Sequence, residues 1–390
     1  MARHWKRQAV RITGAFIIAS SAAAAEHANT NNLPADGTDD FVSMSLEDLM
    51  NVEVQSPGGL TSTDPRRRPI SITELDVRDI QQSGARDLNR LLEIYVPNLQ
   101  IIHHHSHQDH VGFRGIISDR DDKYLFQVNG LTMNNRMLVG ADNERQIPLL
   151  GDLRSVSVVR GPASATHGSG AVAGVIDVET YSGLTFQGAD VKVRQGLVDQ
   201  YTATELRYGR RFSETSGIFL YYGVAGVEGA DADYYIGKSY PATNGLPANV
   251  AGEPYGGPMA NIGEAGFDAI QQKAHLSYVN GPWEFWARYT QDGSEMRPIR
   301  QIYASVKPAD VSVEDWTRGR EGQNQQFTAA VSFKKEISST LKLELLQSYD
   351  IFAYTDSRSG IAVGQAVRHA SENELFTRAI AVWTPNDAHS

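Results

Sequence analysis

The 390-residue chain has no cysteine, which rules out disulfides and thiolate metal sites. It also lacks any apolar run of the ~18–20 residues that a membrane helix needs. Excess positive charge is missing too: the formal net charge is −10, which argues against general nucleic-acid binding. No G-x-S-x-G, H-E-x-x-H or phosphate-binding glycine loop occurs, so no catalytic constellation is in view and the chain is read as a non-enzyme with no cofactor. What is present is glycine (35), tyrosine (16) and a mean hydropathy of −0.36, the balance of a turn-rich β protein.

The N-terminus, positions 1–25, has three parts. Arg3, His4, Lys6, Arg7 and Arg11 are basic, Ile12 to Ala19 is apolar, and Ala23-Ala24-Ala25 offers a small-residue cleavage site. That order reads as a signal peptide. A polar stretch rich in Asn, Asp and Pro follows over 26–44, and Asp64 to Pro69 (DPRRRP) forms a basic linker.

Residues 60–180 mix short elements. A strand is expected at Ile70–Ile72 and a short helix over Asp76–Gln82. A second helix is expected over Arg86–Tyr95, with Leu88, Leu91 and Leu92 buried and Pro97 ending it. Asn129-Gly130 predicts a type I′ turn. His103, His104, His105, His107 and His110 read as one histidine-rich loop that also carries Asp109. Imidazoles suit Zn, Cu, Ni and Fe, so a metal or metal-chelate contact is one reading. The spacing follows no standard ligand pattern, so a solvated polar loop is the other.

After Tyr181 the pattern changes to long alternation. Trp283, Phe285, Ala287 and Tyr289 share one face, with Glu284, Trp286 and Arg288 on the other; Phe327, Ala329, Val331 and Phe333 repeat the arrangement, as do Leu341, Leu343 and Leu345. Segments 201–212, 215–226, 270–279 and 374–384 behave similarly. Such runs fit membrane β-strands, and equally the strands of a soluble sandwich. The glycine- and proline-rich stretches 227–267 and 294–322 read as long loops.

The ordered run VVRGPASATHGSGAVAGVIDVET (158–180), with YLFQVNGLTMNNR (124–136) before it, resembles the plug domain of TonB-dependent outer-membrane receptors. Ser45 to Ser56 resembles the "SLEELMNIEVTS" opening of one branch of that family. The resemblance implies an outer-membrane β-barrel of the 22-stranded type, here incomplete, with an N-terminal α+β plug. The domains would be a signal peptide (1–25), a periplasmic tail (26–59), the plug (60–180) and the first part of the barrel (181–390). It implies an outer membrane of a Gram-negative bacterium, with lipid outside the barrel and the plug and tail facing the periplasm. It further implies TonB as partner, with ExbB and ExbD behind it, and import of a scarce substrate such as an iron–siderophore or other metal chelate. Cobalamin, free metal or oligosaccharide uptake are alternatives within the family; a passive channel or a non-transporting binding module lies outside it. Met50, Asn51, Val52, Glu53, Val54 and Gln55 match the place of the TonB box, the strand that pairs with TonB; an ordinary plug edge strand is the other reading of them. Arg114 and Arg160 match family arginines and are the expected plug anchors. Ser155, Ser157, Asn129 and Asn98 depart from the family pattern. Residues 181–390 hold eight to ten strand candidates, so the chain is expected to carry only the leading part of a longer barrel.

Overall fold

The computed structural model describes residues 71–103, 109–118, 120–136, 140, 144–196, 201–226, 271–296, 320–358 and 366–383. The signal-peptide segment, the 26–59 tail, Met50–Gln55, the 227–267 stretch, His104, His105 and His107 lie outside them.

The first half folds around a five-stranded mixed sheet of order β1-β6-β7-β4-β5. It comprises β1 (Ser71–Leu75), β4 (Tyr124–Val128), β5 (Leu131–Thr132), β6 (Leu153–Arg160) and β7 (Gly174–Thr180). Strand β4 runs parallel to β7 and is buried along its whole length, the usual fate of a strand flanked on both faces. Helix α1 (Val77–Gln82) starts at an Asp76 cap, with Asp79 closing a reciprocal capping box. Helix α2 (Leu88–Tyr95) is capped by Asp87 and buries Leu88, Leu91 and Leu92, as the spacing predicts. A four-residue helix α3 (Ser164–His167) fills the small-residue turn. Asn129 and Gly130 both take positive φ (52° and 74°), the geometry of the expected type I′ turn.

Strands β2 (Leu99–His103) and β3 (Asp109–Phe113) form a separate hairpin. This corrects the reading of 103–110 as one loop: His103 ends β2, and His110 sits within β3 opposite Ile102.

The second half is an antiparallel meander of eight strands in sequence order: β8 (Gly188–Gln195), β9 (Thr202–Ser213), β10 (Ser216–Gly226), β11 (Gln271–Asn280), β12 (Trp283–Met296), β13 (Arg320–Ser338), β14 (Leu341–Arg358) and β15 (Ala366–Trp383). Three strands differ from the sequence expectation. Strand β8 carries little signal, because its GADVKVRQ alternation is short and charged. Strands β12 and β13 run into 294–322, which reads as loop because Gly293, Ser294, Gly322 and Gln323 are weak strand formers. Pairing with a neighbour overrides that preference.

Three links between β9 and β14 are two-residue turns at one end of the sheet (214–215, 281–282, 339–340); most links at the other end are longer. Outer-membrane barrels have this asymmetry, with short turns on the periplasmic side.

The two faces of the sheet differ. Leu206, Tyr208, Leu220, Tyr222, Trp283, Phe285, Phe327, Val331, Leu345, Tyr349, Leu375 and Trp383 point outward and are exposed. Their inward neighbours Glu205, Lys273, His275, Arg288, Thr290, Gln326 and Thr328 are buried. On β12 the outward series ends at Gln291, which accepts from Gln325 (3.1 Å) and Tyr289 (2.8 Å). From Trp283 to Gln291 the strand rises ~26 Å along its own axis, which at the ~35–45° tilt of outer-membrane strands spans ~18–21 Å of a ~25 Å apolar band. The inward face carries the first half: its core of Leu91, Phe113, Phe126, Val158 and Ile176 is continuous with Trp286, Ala330 and Leu346 of the wall.

Candidate functional site

The residues joining the two halves lie mainly in one strap, Glu144-Arg-Gln-Ile-Pro-Leu-Leu-Gly-Asp152, just before β6. Two acids end it, and between them Ile147 and Leu149 pack with Tyr201, Ala203 and Ala225 of the wall.

Arg288 on β12 binds both acids. Its Nε and Nη2 donate to the two oxygens of Glu144 (2.7 and 2.8 Å), and its Nη1 donates to Asp152 Oδ2 (2.5 Å). Lys273 Nζ donates to the Leu149 carbonyl (2.7 Å) and lies 3.5 and 3.4 Å from the same acids. None of these four residues is more than 4% exposed. Two positive and two negative groups meet away from water, so their charges cancel. Burial alone would raise the pKa of Asp152, but Arg288 and Lys273 outweigh it and hold the carboxyl at about 2. Glu144 is lowered too, burial again opposing and the same two cations winning.

The wall also grips the strap by its main chain. Arg194 Nη2 (2.8 Å) and Tyr201 Oη (3.1 Å) donate to the Pro148 carbonyl. Gly151 N–H donates to Glu205 Oε2 (2.6 Å), and Arg207 donates to the Gly151 carbonyl (3.2 Å). Glu205 is itself fixed by Arg194 and Tyr221. Glycine is required here because a Cβ would lie 2.5 Å from Glu205 Oε2.

Arg145, fully buried, faces the other way. It donates to Asn89 Oδ1 (2.6 Å), the Asp109 carbonyl (3.1 Å) and Asp121 Oδ2 (3.0 Å). Its own carbonyl accepts from the N–H groups of Leu88 and Asn89 at the start of α2. Adjacent residues thus tie the wall (Glu144) to helix α2 and the β2–β3 hairpin (Arg145).

The sequence-predicted residues fall elsewhere. His110 is buried with Nδ1 3.3 Å from Asp121 Oδ2, inside the Arg145 network. Arg160 Nη1 donates to the Pro97 carbonyl (3.1 Å), and the Arg114 N–H donates to the Asn98 carbonyl. These partners belong to the first half itself. Met50–Gln55 lie outside the described residues. The strap is absent from the sequence-based candidates. Its signal is two acids flanking IPLLG, ahead of a wall segment with inward Lys273 and Arg288.

The TonB-dependent Receptor Plug Domain family model matches residues 64–175. Those residues form a plug domain of the TonB-dependent receptor type. It is 29% identical over 163 residues to the vitamin B12 transporter BtuB of Vibrio vulnificus, a match spanning 41% of this chain and 26% of that one. Its fold resembles the siderophore receptor PirA of Acinetobacter baumannii (TM-score 0.53, 16% identity, 79% of this chain and 45% of that one). It also resembles the ferric-catecholate import receptor Fiu of E. coli K12 (TM-score 0.52, 12% identity, 84% and 48%). The chain therefore spans under half the length of these receptors. In family terms the first half is the plug, the meander is a partial barrel, and the Glu144–Asp152 strap is the plug's seat on the wall.

Proposed function

We propose that this chain carries the plug and leading barrel strands of an outer-membrane receptor that imports a scarce substrate, an iron–siderophore or other metal chelate, with energy from TonB. The observation that carries the reading is a plug seated on the polar inner face of a sheet whose outer face carries a band of exposed apolar side chains. A blocked lumen needs work to open, and the outer membrane holds no nucleotide or ion gradient. That work would come through the segment before the plug, Met50–Gln55, pairing as a strand with TonB. The plug and tail would then face the periplasm, the side of the short turns. The substrate class is inferred from relatives named for siderophore and vitamin B12 transport.

The test is uptake by the full-length receptor of a panel of ferric siderophores, cyanocobalamin and copper, with and without residues 50–55. Uptake of one member that is lost on deletion, with binding kept, supports the reading. Uptake unchanged by the deletion would instead indicate a passive channel.

A further inference from the structure

We infer that Arg210 and Lys335, on the outward face of the sheet, each hold the phosphate of an anionic phospholipid in the leaflet on the side of the short turns. The inference rests on the proposed placement of the sheet as an outer-membrane wall, and not on transport.

The outward face is almost free of charge. Between the short turns and the row of paired residues through Gln291, the outward strand positions of β8 to β15 are uncharged except for Arg210 on β9 and Lys335 on β13, both basic and both exposed. Each stands four residues ahead of a two-residue turn, at 214–215 and at 339–340, so the two lie at one depth on separate strands. A cation on the lipid face is costly at the middle of a bilayer and nearly free at its edge. That depth is therefore where headgroups begin. Tyr278, on β11 between the two, is exposed three residues ahead of the turn at 281–282, and amphipathic rings settle at the same level.

The two ends of this face satisfy their polar groups differently. At the Gln291 end neutral groups pair with one another: Tyr222 donates to Gln272 (3.1 Å), and Tyr289 and Gln325 donate to Gln291 (2.8 and 3.1 Å). At the turn end neither cation has an acidic partner among the described residues. Glu336, next to Lys335 in sequence, alternates onto the other face and pairs with Lys342 (2.9 Å). The Arg210 guanidinium lies 5.8 Å from the centroid of the Phe212 ring. Phe212 is the next outward position toward the turn, so the arginine reaches along the strand and out of the apolar band. Lys335 follows Phe333, whose ring packs on Trp283 (4.8 Å), and its flexible stem reaches the same edge. An unpaired cation there attracts a lipid phosphate. With no acid beside it to receive an ammonium, a headgroup of net negative charge fits better than a zwitterionic one. Strands β9 and β13 are four strand spacings apart, ~19 Å, too far for one headgroup to span, so each cation takes its own lipid.

The experiment is native mass spectrometry of the full-length receptor titrated with phosphatidylglycerol and, separately, with phosphatidylethanolamine of the same acyl chains. The wild type should hold phosphatidylglycerol more tightly. Arg210→Gln and Lys335→Gln should each weaken one phosphatidylglycerol site about fivefold, the worth of one cation at an anionic surface, and the double variant should weaken two. Arg210→Lys keeps the charge and should keep the lipid. Heat-dependent gel mobility confirms that each variant barrel is folded. Equal binding of the two lipids by the wild type, or phosphatidylglycerol binding unchanged in the double variant, overturns the inference. A wild-type receptor that shows both sites and imports nothing would leave it standing and sink the transport reading instead.

Discussion

Arg288→Met is the sharpest perturbation the seat allows. Arg288 makes three hydrogen bonds to Glu144 and Asp152, and methionine keeps much of its volume but none of its charge. Two buried carboxylates would then share Lys273 alone, which sits 3.5 and 3.4 Å away and is already committed to the Leu149 carbonyl. Removing one partner of a buried ion pair costs ~3–5 kcal/mol, because the remaining charge has lost both water and its counter-ion. That loss should appear in plug seating and leave the barrel unaffected. The assay is urea titration of vesicle-embedded receptor, reading plug release by protease cleavage after Arg145 while gel mobility reports the barrel. Adding Glu144→Gln to Arg288→Met restores charge balance and should recover a large part of the loss. Measuring both singles and the double gives the coupling directly. A seating loss under ~1 kcal/mol for Arg288→Met, the value expected of an exposed pair, would refute the claim that this cluster holds the plug.

Three further outcomes follow from the same geometry. Gly151→Ala should weaken seating by ~1–3 kcal/mol, the range for overpacking, because its Cβ meets a Glu205 carboxylate that Arg194 and Tyr221 hold in place; the urea titration checks it. Asp177 in β7 is raised to about 6, chiefly by burial and then by Glu179, against the Gly130 N–H that it accepts. A carboxyl raised in the folded state contributes stability below ~4 and loses it as pH rises through 6, so Asp177→Asn should raise the plug's melting midpoint at pH 7.5 and have little effect at pH 4. Asp152 has the opposite sign: lowered to about 2, it contributes stability above ~4 and loses it only as pH falls toward 2. Plug release on acidification should therefore begin below pH 4, and release near pH 6 would contradict the assignment.

Much of the fold was readable from the residues. The β12 alternation of Trp283, Phe285, Ala287 and Tyr289 against Glu284, Trp286 and Arg288 put the correct side chains on each face, because strand geometry fixes the period at two. Leu88, Leu91 and Leu92 marked the buried side of α2 for the equivalent helical reason. What failed was whatever depends on contacts distant in sequence. Loop-like composition near 294 and 322 gave way to strand because β12 and β13 pair there over fourteen register positions. His110 looked like part of a polar loop beside His103 to His107, but the hairpin register turns it inward onto Asp121. Glu144 and Asp152, which meet the wall through Arg288, carry no such local pattern, whereas Arg160 and the backbone N–H of Arg114 bond plug carbonyls.

That last difference has a physical cause. A wall that recognises Pro148, Leu149 and Gly151 through their carbonyl and amide groups places little demand on side-chain identity. The constrained side chains are the buried Ile147 and Leu149, the buried Arg145, Gly151, where a Cβ has no room, and the two acids facing Arg288, and an acid–base pair stays balanced whichever partner carries which sign. Ser155 and Ser157 stand where the family pattern has Arg and Glu. In the strap the plug supplies acids and the wall supplies bases. Reversing the cluster, with Glu144→Lys and Asp152→Asn against Arg288→Glu and Lys273→Met, keeps charge balance and should seat the plug better than either half of the exchange alone. The urea titration measures it, and equal seating by the half-exchanged proteins would show that the backbone contacts hold the plug without help from the charges.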